Sequence, residues 1–99
     1  MTQEVYTDLE NRAGFNMDFS DALFQLRLGH KMARRGWNGN GIFIKLQMPT
    51  VDSKMTSPYI YIDTTGLQTK NPDAPTVRVP WTPSQTDLLA NDWEPVINE

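Results

Sequence analysis

Three glycines and two asparagines fall within the six residues Gly36-Trp37-Asn38-Gly39-Asn40-Gly41, and this cluster constrains the fold more than any other feature. Glycine and asparagine tolerate positive φ, so the chain is expected to reverse tightly there. On the far side, Ile42, Ile44, Leu46 and Met48 alternate with Phe43, Lys45 and Gln47, the period-two pattern of a strand with two distinct faces. Lys31 to Arg34 supplies a short strand on the near side, completing a hairpin. Tyr59-Ile60-Tyr61-Ile62 alternates in the same way. Thr76 to Trp81 reads as a fourth strand, in which Pro80 marks an edge or a terminus. Trp93 to Ile97 reads as a last strand, interrupted by Pro95.

Helical periodicity appears at two places. Phe19, Ala22, Leu23 and Leu26 follow the i, i+3, i+4, i+7 spacing, Asp18 is a capping residue, Asp21 suits the first turn and Gly29 can close the helix. An amphipathic helix is expected over Phe19 to Leu28, with its apolar stripe against a sheet or a partner. Thr82-Pro83-Ser84-Gln85 fits a Thr-x-x-Gln capping box with Pro83 in the first helical position, so a short second helix is expected to run to about Ala90. These elements imply an α+β domain: a mainly antiparallel sheet of about five strands, one N-terminal amphipathic helix and one short helix before the last strand. Residues 1–17 are polar without a clear period and read as an N-terminal extension, leaving 18–99 as a single domain. Thr64 to Pro75, with Gly66, Asn71, Pro72 and Pro75, reads as a long exposed connection.

Composition narrows the function. Among 99 residues there is no cysteine and one histidine, His30. A zinc site or a histidine-based triad therefore has almost nothing to be built from, and neither a metal nor a cofactor is expected. No apolar run approaches the roughly 20 residues of a membrane span, and no secretory signal pattern opens the chain, so a soluble cytoplasmic protein is expected. A net charge of −3 argues against DNA or RNA as the partner, because such binding rests on neutralising many phosphates together. The distribution is uneven, however. No acidic residue lies between Asp21 and Asp52, while Arg27, Lys31, Arg34, Arg35 and Lys45 do. That stretch is either the solvated face of a hairpin or the seat of a small anion.

Two tryptophans stand out. Trp37 sits in the reversal, where there is little local core to fill, and exposing an indole to water forfeits a large apolar area. Another subunit or the flat face of a nucleobase could cover it. Arg34 and Arg35 precede it with guanidinium forks suited to phosphate, and Asn38 can either hydrogen-bond a ribose or base edge or hold a left-handed turn. Asn40 is assigned to the turn. Trp81 immediately precedes a helix N-terminus, where amides attract anions, but capping by Thr82 and Gln85 would leave Ser84 and the remaining amides as the anion contacts. Trp93 is assigned to the core. Asp87 and Asp92 suit a helix first turn and a chain turn respectively, and are also the carboxylates a hydrolase would use as a base.

Several separated blocks, in order, resemble a known family. Phe19-Ser20-Asp21-Ala22-Leu23, Gly29-His30-Lys31-Met32-Ala33-Arg34, Arg35-Gly36-Trp37-Asn38-Gly39, Ser53 to Ile60 and Val79 to Trp93 are similar to the Thoeris anti-defence 2 family of small phage proteins. The resemblance covers about Asp18 to Val96. It implies a sponge that is not an enzyme: a homotetramer, acting in the cytoplasm of the infected bacterium, that holds a cyclic nucleotide signal between subunits without cleaving it. The signal is notably glyco-cyclic ADP-ribose, and cyclic dinucleotides for some relatives. Carried over by position, Trp37 and Trp81 are the implied base-stacking residues, with Arg35, Asn38, Ser84, Gln85 and Asp87 as polar contacts. Asn40 stands where relatives commonly carry lysine, which removes one positive charge. Two other classes stay open: an enzyme hydrolysing the signal through Asp87 or Asp92, and an inhibitor that covers a host defence protein through Trp37, Phe43 and the tyrosines.

Overall fold

The computed structural model describes residues 16–37 and 39–96. Helix α1 spans Phe19–Arg27 and is followed by strands β1 (Lys31–Arg34), β2 (Phe43–Gln47), β3 (Tyr59–Asp63) and β4 (Arg78–Pro80), helix α2 (Gln85–Leu89) and strand β5 (Trp93–Val96). All neighbours in the five-stranded sheet are antiparallel, in the order β4-β3-β2-β1-β5. The fold is thus the α+β arrangement that the alternating and helical patterns imply.

Register explains which alternating residues face inward. Met32 pairs with Ile44, Ile44 with Ile62, and Ile62 with Val79, so one row of apolar side chains crosses the sheet. Met32 and Ile44 at the middle of that row are fully buried, where α1 covers the sheet with Ala22 and Leu26. Trp93 completes this core with no exposed surface. A side chain of that size removed from water is among the largest single apolar contributions to stability. Pro95 stands opposite Met32 on edge strand β5, a position where a missing N–H disturbs the ladder least. Pro80 likewise ends the opposite edge strand.

Helix α1 starts where the capping residues require. Asp18 accepts from the Asp21 amide at 2.9 Å while Asp21 accepts from the Asp18 amide at 3.0 Å, a reciprocal box, and Gly29 leaves the helix with φ of +94°. Met17 exchanges backbone hydrogen bonds with Trp93 and is buried in the core, so ordered packing begins immediately before Asp18. Residues 1–15 of the sequence-defined extension lie outside the described residues.

Three local expectations change. Helix α2 is capped by Ser84, with Asp87 as its reciprocal partner, two residues later than the Thr82 box. The Gly36–Gly41 reversal takes positive φ only at Gly41 among its described residues, so Asn40 is not left-handed. Gly36 instead gives room: a Cβ there would come within 2.7 Å of an Asp92 carboxylate oxygen. Finally, the connection after β3 is not simply an exposed excursion. Its first residues dock on the reversal, with the Gln68 amide donating to the Asn40 carbonyl at 2.9 Å.

Candidate functional site

The reversal and the start of α2 meet over a single guanidinium. Arg34, the last residue of β1, points inward and donates through Nη1 to Asp87 Oδ1 at 2.9 Å and through Nε to Asp92 Oδ1 at 2.8 Å. Asp92 uses its other oxygen to accept from the Gly36 amide at 2.8 Å, which pins the beginning of the reversal. Asp87 Oδ1 also accepts from the Trp37 indole Nε1 at 3.2 Å, and its Oδ2 accepts from the Ser84 amide and hydroxyl at 3.1 and 2.9 Å. The Asp87 backbone carbonyl accepts from Trp93 Nε1 at 3.1 Å. One residue therefore caps α2, orients Trp37 and anchors Trp93.

The electrostatics follow from this geometry. Burial pushes the Asp87 carboxyl upward, but hydrogen bonds from Arg34, Ser84 and Trp37 outweigh it and hold its pKa below the ordinary carboxylate value. Asp92 behaves alike: burial opposes ionisation, and Arg34 with the Gly36 amide more than offsets it. The hydrogen bond to Asp92, reinforced by Asp87 and reduced by burial, raises the Arg34 pKa. All three groups stay charged at neutral pH.

Around this cluster the indoles pack edge to face. Trp37 and Trp81 each approach Trp93 in T-shaped contacts, at 5.4 and 6.1 Å between centroids, and each other at 6.3 Å. Trp93 is enclosed, whereas Trp37 and Trp81 are only partly buried and line a common cleft. That cleft measures about 350 Å³, and its other walls are Gly39, Ile42, Ile62, Thr64 and Leu67. A second, larger cleft of about 610 Å³ also borders Trp37 and Gly39. Its lining is polar and cationic, including Lys31, Arg34, Arg35, Gln68 and Glu94. An apolar slot thus adjoins a charged basin, with Trp37 bordering both.

Residues 17–96 match the model of the Thoeris anti-defense 2-like domain. The chain belongs to this family. A relative from Bacillus phage SP01, named Thoeris anti-defense 2, is 29% identical over 91 residues, covering 79% of this chain and 92% of its own length. The family match begins at the buried Met17 and ends at Val96, the last residue of β5, so it coincides with the described fold.

The residues singled out from the family resemblance divide by location. Trp37 and Trp81 come together at the apolar cleft. Arg35 lies exposed beside the cationic cleft, where its guanidinium donates to Asn16 Oδ1 at 3.1 Å and stands 3.7 Å from Glu94. Asn38 lies outside the described residues. Ser84, Gln85 and Asp87 open α2 and line neither cleft. An anion approaching α2 would meet the Asp87 carboxylate already bonded to the Ser84 amide, so the cationic cleft is the better-suited anion side.

Sequence reasoning missed the walls. Ile42, Ile62, Thr64 and Leu67 complete the apolar cleft, and Gln68 joins the cationic one beside Lys31, which the acid-free stretch does flag. Lys31 Nζ sits 4.6 Å above the Phe43 ring, a cation–π contact that positions the ammonium at that rim. Ile42 and Lys31 flank the reversal and could be found from the hairpin pattern. Leu67 and Gln68 carry no local signal, because they arrive from another loop.

Proposed function

We propose that this protein binds and sequesters a cyclic nucleotide immune signal without cleaving it, and so blocks Thoeris defence in the cytoplasm of the infected bacterium. Family membership supports the phage anti-defence role. The signal proposed is glyco-cyclic ADP-ribose, with cyclic dinucleotides as further ligands. One observation carries the mechanism: Trp37 and Trp81 pack against the core yet stay only partly buried, and share an apolar cleft of about 350 Å³ next to a cationic one of about 610 Å³. A flat base entering the first would finish the indole packing, and phosphates would fall towards Lys31 and Arg35 in the second. Ligand clefts of small molecules commonly span about 300–1,000 Å³, so both are of suitable size.

Asp87 serves this site as a positioning residue, holding the Trp37 indole through its N–H. Arg35, Asn38, Ser84 and Gln85 are retained as the proposed polar contacts from their own or a neighbouring subunit. A homotetramer with the ligand between subunits would close the remaining open side of the cleft. Tight capture is needed to outcompete a sensor, and nanomolar affinity corresponds to about −12 kcal/mol. Stacking contributes about 1–3 kcal/mol per base, so enclosure between preformed subunits must supply much of the remainder.

Hydrolysis by Asp87 or Asp92 is the weaker reading, since Arg34 binds both carboxylates and lowers their basicity. The test is calorimetric titration with glyco-cyclic ADP-ribose, followed by heat denaturation and mass analysis of the released nucleotide. Saturable binding with recovery of the original mass is expected. Failure to bind removes the sponge, and a hydrolysed product restores the enzyme.

A further inference from the structure

The turn from Thr64 to Gln68 packs against the Gly39–Gly41 end of the reversal that carries Trp37. Asp63, buried at the end of β3, holds the turn through the Thr65 amide and hydroxyl at 2.9 and 2.6 Å, and is itself bonded to Arg78 Nε at 2.8 Å. The Leu67 amide closes the turn on the Thr64 carbonyl at 3.0 Å. From this base the turn reaches the reversal at three successive residues. A Cβ on Gly41 would collide with the Gly66 carbonyl, a Cβ on Gly39 would collide with Leu67 Cδ1, and the Gln68 amide bonds to the Asn40 carbonyl. Two backbones are in van der Waals contact there, and the Leu67 side chain covers Gly39.

The hydrogen-bonding groups of the apolar cleft are mostly committed elsewhere. The Trp37 N–H is donated to Asp87, and the Thr64 hydroxyl is engaged by the Val77 amide at 2.7 Å and by carbonyls of Val77 and Pro75. Ile42, Ile62 and Leu67 have no polar side-chain atoms. Among the described residues that line the cleft, the Trp81 indole N–H is the one side-chain donor without a hydrogen-bond partner. A single donor directed at N3 or N7, acceptors that adenine and hypoxanthine share, does not distinguish an exocyclic amine from a carbonyl.

We infer that the Thr64–Gln68 turn is the ligand-selecting element of this site, with Leu67 setting the width of the slot, so that a base is sorted by flat shape rather than by its exocyclic groups. This rests on the proposed nucleotide site. An apolar slot rejects an isosteric change weakly, by roughly 100-fold at most, whereas a site built to hydrogen-bond a group rejects its absence by about 10⁴-fold or more. Leu67 is therefore a specificity-determining residue, and Gly41 is a positioning residue that lets the turn approach.

The experiment measures calorimetric affinity of the full chain for glyco-cyclic ADP-ribose and for its deaminated analogue, in which hypoxanthine replaces adenine. The two ligands should differ by less than about tenfold, and Leu67→Ala should weaken both in parallel by about tenfold or more. Leu67→Met keeps the volume and the fold, and should weaken both by a smaller, again parallel, factor. Failure of the wild-type protein to bind either ligand would sink the nucleotide site itself, and this inference with it. If the wild type binds, either of two results overturns the turn's role alone: a discrimination above about 100-fold between adenine and hypoxanthine, or unchanged affinity in both folded Leu67 variants.

Discussion

Trp93 and the pair Trp37 and Trp81 are the same residue type in one edge-to-face cluster, yet Trp93 is fully buried while the other two are only partly so. Trp93 begins a strand, is enclosed by the core and donates its N–H to a backbone carbonyl. Trp37 and Trp81 stand in irregular segments flanking the sheet, and each turns part of its ring towards a cleft. An indole in a regular element is packed by its neighbours in the ladder, while one in a loop depends on what arrives from elsewhere. The first kind carries stability, and the second is the kind the proposed function assigns to ligand stacking.

The sharpest way to break this contrast is to truncate the enclosed ring. Trp93→Ala should destabilise the domain by about 3–5 kcal/mol, read by denaturant unfolding, through lost burial and the cavity it leaves. Trp37→Ala and Trp81→Ala should each lower nucleotide affinity by about 1–3 kcal/mol in calorimetry while costing clearly less stability than Trp93→Ala. Equal losses of melting temperature in all three variants would erase the distinction between core and cleft. Between these extremes, Asp87→Ala should cost about 1–3 kcal/mol, because it strands the Trp37 N–H and part of the Arg34 guanidinium. Its intrinsic fluorescence should report a changed Trp37 environment.

Acid offers a finer test of the same cluster. Asp87 and Asp92 have folded-state pKa values below their unfolded ones, so their stabilisation is fully present above the unfolded carboxylate value, near pH 4, and is lost as pH falls through the folded values. Unfolding free energy should therefore decline on acidification below about pH 4, and the part due to Asp87 should vanish in Asp87→Asn. The smallest effect is expected at the periphery. Arg35→Ala breaks an exposed, long ion pair with Glu94 and should change stability by less than about 1 kcal/mol, so any loss of affinity in that variant reports on ligand contact.

Much of this architecture is written locally. The alternation through β2, the Asp18 cap and the assignment of Trp93 to the core all depend on residues close together in sequence, where the period of apolar side chains and the chemistry of a cap act directly. The start of α2 is ambiguous in the sequence because Thr82-x-x-Gln85 and Ser84-x-x-Asp87 overlap, and both satisfy the pattern. What separates them lies 53 and 50 residues away, where Arg34 and the Trp37 indole reach Asp87. Neighbouring arginines were equally opaque: Arg34 turns inward to two acids and Arg35 outward, a difference set by strand register. The cleft walls show the same limit. Leu67 and Gln68 resemble any loop residues until the fold brings them against Gly39 and Asn40.

The inward turn of Arg34 alters what the acid-free stretch from Asp21 to Asp52 amounts to in three dimensions. Folding returns Asp87 and Asp92 to Arg34, and Glu94 to Arg35, so part of a run that looks strongly cationic along the chain is offset in space. Long-range attraction of a phosphate would then be weaker than the sequence alone suggests. Capture by this surface would rest on fit at close quarters, and would fade little as ionic strength rises.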